Sequence, residues 1–179
     1  MPVVIILVLV VLAFGSGLAG GTGTLVFMAA SSSRYSSSVE LHATFTIGSS
    51  TETSPVNLTL SQGTYTISFG PLNWYITPAS RTVTLARGST EYVYTTYDPI
   101  LRKISVSQGG FNVTSVTALH GVTPVVWTND GDSAVTLHVD SIGTVIIDPS
   151  RNYTAVFATG GTFQYDIPRT NFSGSVKAE

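Results

Sequence analysis

From Val39 onward the chain alternates apolar and polar side chains. Val39, Leu41, Ala43, Phe45 and Ile47 interleave with Glu40, His42, Thr44 and Thr46. Successive side chains of a strand point to opposite faces, so this period of two predicts a strand with one buried face. The pattern recurs after the polar stretch SSTETSP, which reads as a turn. Val56, Leu58 and Leu60 alternate, then Tyr65, Ile67 and Phe69, with Gln62-Gly63 between them. Two such runs predict a hairpin. RTVTLARGSTEYVYTTY repeats the scheme about Arg87-Gly88, and Tyr92, Tyr94 and Tyr97 are expected to line one strand face. With short connections and no helical period, residues 39–98 predict a small antiparallel β-sandwich.

A second module is expected over residues 103–179. Its strands read KISVS, FNVTSVTAL, TPVVWTN, AVTLHVDSI, TVIID, YTAVFA and GTFQYDI. Seven short strands at this spacing suggest a Greek-key sandwich. The joint is TYDPILRKIS, where Asp98-Pro99 favours extended or turn geometry. Arg102-Lys103, the one adjacent basic pair, reads as a solvated turn. The fold class is therefore all-β: two small antiparallel sandwiches in tandem behind an N-terminal hydrophobic helix.

Composition agrees. Charged residues make up 10% of the 179, where about 25% is usual. Ser, Thr, Val and Gly take their place, and β-branched residues favour strands. Net charge is −2 with no basic run, which argues against a nucleic-acid partner. The absence of cysteine excludes disulfides, thiolate metal sites and cysteine nucleophiles.

Residues 1–33 carry no charged side chain. Two readings compete. Val3 to Phe14 can be the apolar part of a secretory signal, cleaved near Ala19. Alternatively Val3 to about Ala30 is one hydrophobic helix, longer than the about 20 residues that span a bilayer. Gly15, Ala19 and Gly23 would then fall four apart, a spacing that lets helices pack closely. The retained helix is preferred. It would bind membrane lipid or copies of itself; under either reading the rest of the chain is exported. Four sequons fit export and are glycosylation candidates: Asn57, Asn112, Asn152 and Asn171.

SPVNLTLSQGTYTISFGPLNWYITPASRTVTL resembles the PEGA repeat, a small surface-protein β module, though the Pro-Glu-Gly-Ala signature is missing. The resemblance implies a structural or carbohydrate-proximal role and no chemistry. In the second module Trp127-Thr128-Asn129 and Gly161-Thr162-Phe163-Gln164-Tyr165 are similar to cupredoxins, with an immunoglobulin-like sandwich as the alternative. That similarity implies a copper fold without its copper. A blue-copper site needs two His and a Cys thiolate. Asp166 or Ile167 stands where the thiolate belongs, PRTNFSGS offers neither His nor Met, and the upstream His position falls near Val135. His42, His120 and His138 are scattered and read as structural or solvated. Asn129, Asp130 and Asp132 have the look of a weak calcium loop, but Asp-Gly is a turn dipeptide. No metal or cofactor is expected.

No nucleophile elbow, phosphate loop or distinguished carboxylate pair occurs, so no enzyme activity is expected. Trp127 is expected in the core. Trp74 and Tyr75, in the loop GPLNWYITP, are contact candidates for glycans or other surface proteins. Both modules are in the style of archaeal surface proteins. The expectation is a non-enzymatic structural or adhesive protein of the cell surface. The alternatives are a pilin-like filament subunit and an exported metal-binding or electron-transfer relative of cupredoxins.

Overall fold

A computed structural model of the chain describes residues 20–179. Among them are seventeen strands and no helix, so none is long and apolar enough to cross a membrane. The first eight strands are β1 (Thr22–Ser31), β2 (Thr44–Ile47), β3 (Ser50–Thr53), β4 (Val56–Ser61), β5 (Gly63–Phe69), β6 (Tyr75–Ile76), β7 (Arg81–Leu85) and β8 (Thr90–Pro99). The remainder are β9 (Arg102–Ser107), β10 (Gly110–Phe111), β11 (Ser115–Ala118), β12 (Val125–Asn129), β13 (Val135–Val139), β14 (Gly143–Ile147), β15 (Asn152–Ala155), β16 (Gly161–Asp166) and β17 (Ser173–Ala178). They form two compact units. The first takes residues 20–29, 41–70 and 78–95, and the second takes 30–40, 71–77 and 96–179. The chain thus passes between units more than once, where a simple tandem order was expected.

In the first unit β4, β1 and β8 lie side by side in one sheet, and β3-β2-β5-β7 form another. β1 overturns part of the expected N-terminal helix. Leu25, Phe27 and Ala29 are buried, while Val26 is half-buried and Met28 exposed. That is a strand's alternation, and it pairs antiparallel with β4 from Thr22↔Ser61 to Phe27↔Val56. Mean hydropathy detects an apolar run but not its period, and Thr22, Thr24 and Val26 are β-branched. Gly23, expected on a helix-packing face, lies in this strand. It is still a close-approach residue: a Cβ there would come 2.6 Å from the Ala86 carbonyl oxygen. Gly15 and Ala19, and the apolar run that contains them, lie outside the described residues.

Two expected hairpins are not hairpins. β4 pairs with β1, whereas β5 pairs with β2 and β7. The chain crosses between sheets at Gln62, and again between β7 and β8. Alternation tells which face of a strand is buried and is silent on its neighbour. The stretch SSTETSP is mostly strand β3, paired with β2. The core closes on Phe27, whose ring centroid lies 3.8 Å from that of Phe45 and 5.9 Å from that of Phe69. Ile67, Val93 and Leu85 fill the rest. Tyr92 and Tyr94 face out and stack on each other. Tyr97, odd in the alternation, is wholly buried, so the three tyrosines do not share a face.

The second unit packs sheet β10-β9-β12-β15 on sheet β11-β17-β16-β13-β14. β9 runs parallel to β12, and β11 parallel to β17. Both sheets contribute to one core: Ile104, Val125 and Trp127 from the first, Val135, Leu137, Tyr165 and Val176 from the second. This is the expected β-sandwich with Trp127 fully buried as expected, but its sheets are mixed and not antiparallel as expected, because β9 and β11 each lie beside a strand distant in sequence. FNVTSVTAL is two strands, β10 and β11, that join different sheets. β17 was not expected at all. Arg102 and Lys103 are not a solvated turn: they open β9, and the Arg102 Nε–H donates to the Thr117 carbonyl at 2.9 Å.

Candidate functional site

In the second unit the stretches where the cupredoxin resemblance would place metal ligands are the loop between β12 and β13 and the return loop between β16 and β17. The return loop holds itself shut. The Thr170 hydroxyl donates to the Ile167 carbonyl at 2.6 Å and accepts the Phe172 N–H at 3.1 Å. The Ile167 N–H donates to the Phe172 carbonyl at 3.1 Å. The Phe172 ring lies against Gly110, where a Cβ would come 2.8 Å from it. Gly110 also has φ of 111°, so only glycine fits on both counts.

The β12–β13 loop is organised by Asn129, which is fully buried. Its amide donates to the carbonyls of Ser133 at 2.8 Å and Ile147 at 2.7 Å, and its oxygen accepts the Gly131 N–H at 3.0 Å. All three side-chain bonds go to backbone groups of its own loop and of β14. Asp130 and Asp132 are exposed. This is a turn held by an inward asparagine.

The histidines do not converge. His42 Nδ1 meets the Ser54 carbonyl at 3.1 Å in the first unit, and His120 is exposed in the second. His138 lies on the outer face of β13, the polar face expected of it, with Nδ1 3.0 Å from Asp166 Oδ1. The two are directly opposed across the β13–β16 ladder. Among the described residues no three His, Cys, Asp or Glu side chains are grouped as a metal ion needs.

The copper ligand set does not fit. The chain has no thiolate to offer. Asp166 is engaged with His138, Ile167 is 8% exposed, and Val135 points into the core at 2% exposure. Tyr165, immediately before these positions, is a packing residue. Its ring meets Phe111 edge-on at 4.8 Å and Trp127 at 5.8 Å, and its hydroxyl donates to the Val113 carbonyl at 2.7 Å. Burial pushes its pKa up to about 12.

The four sequon asparagines, Asn57, Asn112, Asn152 and Asn171, are all exposed. Asn112 accepts the Ser105 N–H through Oδ1 at 2.7 Å. Trp74 and Tyr75 are half-buried and engaged within the second unit. The Arg102 guanidinium sits 5.1 Å from the Trp74 ring centroid, and the Tyr75 ring meets Tyr97 edge-on at 6.4 Å. Trp74 adopts φ of 74°, unusual for a bulky residue, and its carbonyl accepts the Ile100 N–H at 2.8 Å.

No family model matches the chain, and no curated protein matches it; the PEGA-like reading of residues 39–98 gains no support there. Solved structures that resemble it do so at low identity. The Bacillus anthracis TIE protein aligns with a TM-score of 0.46 and 12% identity over 89% of this chain. The chain spans 31% of that protein. Auracyanin from Roseiflexus castenholzii aligns with a TM-score of 0.36 and 9% identity, covering 44% of this chain and 96% of its own. A multicopper oxidase from Campylobacter jejuni aligns with a TM-score of 0.34 and 12% identity, covering 76% of this chain and 49% of its own. The neighbours of this chain thus include cupredoxin-like proteins.

Proposed function

We propose that this chain is a non-enzymatic structural or adhesive protein of the cell surface, attached or assembled through its apolar N-terminus. One observation carries the reading. At the loop end of the second unit, the engaged polar side chains hold the fold: Asn129 and Thr170 bind backbone, and His138 binds Asp166 across a ladder. Side chains so engaged stabilise the loops and offer no converging groups to a substrate or an ion. The exposed sequons and charge-poor, hydroxyl-rich composition support a glycosylated surface location. The retained helix, whether membrane anchor or filament core, loses one of its three packing candidates, since Gly23 is in a strand.

Intact mass and N-terminal sequencing of the native protein, with electron microscopy of the same fraction, test this. Retention in the membrane fraction with the apolar segment intact is the expected result. A start near Gly20 in a soluble fraction without polymers would overturn it, and regular fibres would favour the filament subunit. Elemental analysis of the purified chain after incubation with copper and dialysis should find less than one ion per chain. Stoichiometric copper would revive the cupredoxin relative.

A further inference from the structure

The loop after β1 is closed at its base. The Ser31 N–H donates to the Val39 carbonyl at 2.8 Å, the Val39 N–H to the Ser31 hydroxyl at 2.8 Å, and the Ser38 hydroxyl to the Ser31 carbonyl at 2.8 Å. So pinned, it carries Arg34 and Tyr35 to the rim of an open groove of about 460 Å³ within the second unit. Ligand pockets run from roughly 300 to 1,000 Å³.

The floor is the outward face of β9, β12 and β15. Lys103, Val126 and Thr154 are cross-strand partners in one row, and Thr128 opposes Asn152 in the next but one along the strands. Their neighbours Ile104 and Trp127 point inward and are wholly buried, which fixes the outward direction of this row. Val126 is only 9% exposed although it faces out, so the groove has a wall above its floor.

The lining is chemically one-sided. It contains two of the chain's eight Lys and Arg side chains and not one carboxylate. Beside the cations stand two threonine hydroxyls, one carboxamide and the Tyr35 ring, over which the Arg34 guanidinium lies at 5.4 Å from the centroid. Cations select an anion, hydroxyl and amide groups match vicinal hydroxyls, and an aromatic ring stacks on the apolar face of a sugar. We propose that this groove binds an anionic saccharide, a sugar bearing a carboxylate. The groove shares no lining residue with the β9–β10 pocket beside the β12–β13 loop. Its ligand would bind whether or not the chain is a structural surface protein.

The Asn152 sequon lies in the floor, so a glycan attached there would compete for the same space. The test therefore uses the full chain in detergent, produced in a host without N-glycosylation. The probe is tetragalacturonate, titrated calorimetrically, with its fully methyl-esterified form as the neutral control. Saturable binding of the acid is expected. Loss of one charge-assisted contact in Lys103→Ala or Arg34→Ala should weaken it about tenfold each. The ester should bind at least about tenfold more weakly. Thr128→Trp, which fills the groove without removing charge, should abolish binding while the circular dichroism stays unchanged. No binding of the acid, or equal binding by the groove variants, overturns the site. Equal binding of inorganic sulfate overturns its assignment to a saccharide.

Discussion

Tyr165 packs its ring into the centre of the second unit and gives its hydroxyl proton to the Val113 carbonyl. Unfolded, it releases that proton near pH 10; folded, near 12. Between those values the native state binds more protons than the unfolded one. Stability from this group is complete below pH 10 and falls as pH rises towards 12, by up to roughly 3 kcal/mol. Tyr165→Phe should lose about 1 kcal/mol at neutral pH, because Val113 is left without its donor, and should flatten the alkaline decline. Denaturant unfolding at pH 7 and pH 11 measures both effects. Gly23→Ala tests a different physical limit. Its methyl would meet the Ala86 carbonyl oxygen at 2.6 Å, and backbone does not yield as a flexible side chain does. A loss of about 1–3 kcal/mol is expected in the same assay.

Strands were legible in the sequence wherever large apolar residues alternate, as in Phe45–Ile47 or Val135–Val139. They were less so where the inward residues are small. β17 buries Gly174, Val176 and Ala178 and turns Ser173 and Lys177 outward. The period is present, but two of its three inward positions carry little hydropathy. Gly174 is small for a reason outside its own strand: a Cβ there would overlap the Tyr165 ring. β1 failed in the opposite way, because its half-exposed Val26 and Ala30 are as apolar as its core residues. That strand makes a sharp prediction. Phe27→Ala should destabilise the first unit by about 3–5 kcal/mol. A chain beginning at residue 34 should lose that unit altogether, seen as loss of dispersed amide resonances from residues 41–70. At the groove, Lys103 was visible only as half of a basic pair. Arg34 and Tyr35 open the polar stretch RYSSS, which carries no period, and the cross-strand register and loop closure that bring the three together are not written in local pattern.

At the scale of the whole chain, pairing is long-range. β1 reaches β4 across more than 25 residues, and β11 finds β17 with Ser115 opposite Ser175, 60 residues later. The turns at Gln62-Gly63 and Arg87-Gly88 join strands of different sheets, so they do not close local hairpins. Loops must be closed before contacts reward them, and such topologies refold in about milliseconds to seconds. Stopped-flow fluorescence of Trp127 should show refolding in that range, and a microsecond phase carrying the full amplitude would refute it. One feature of the second unit also sets a schedule. β17 is the last of the described strands in chain order, yet it stands between β11 and β16, and β11 has no other neighbour in its sheet. Until residues 173–178 have left the exit tunnel that sheet cannot be completed. Nascent chains stalled before residue 173 should therefore be cut by protease within residues 103–172, and resistance should arrive abruptly once residues 173–178 have emerged.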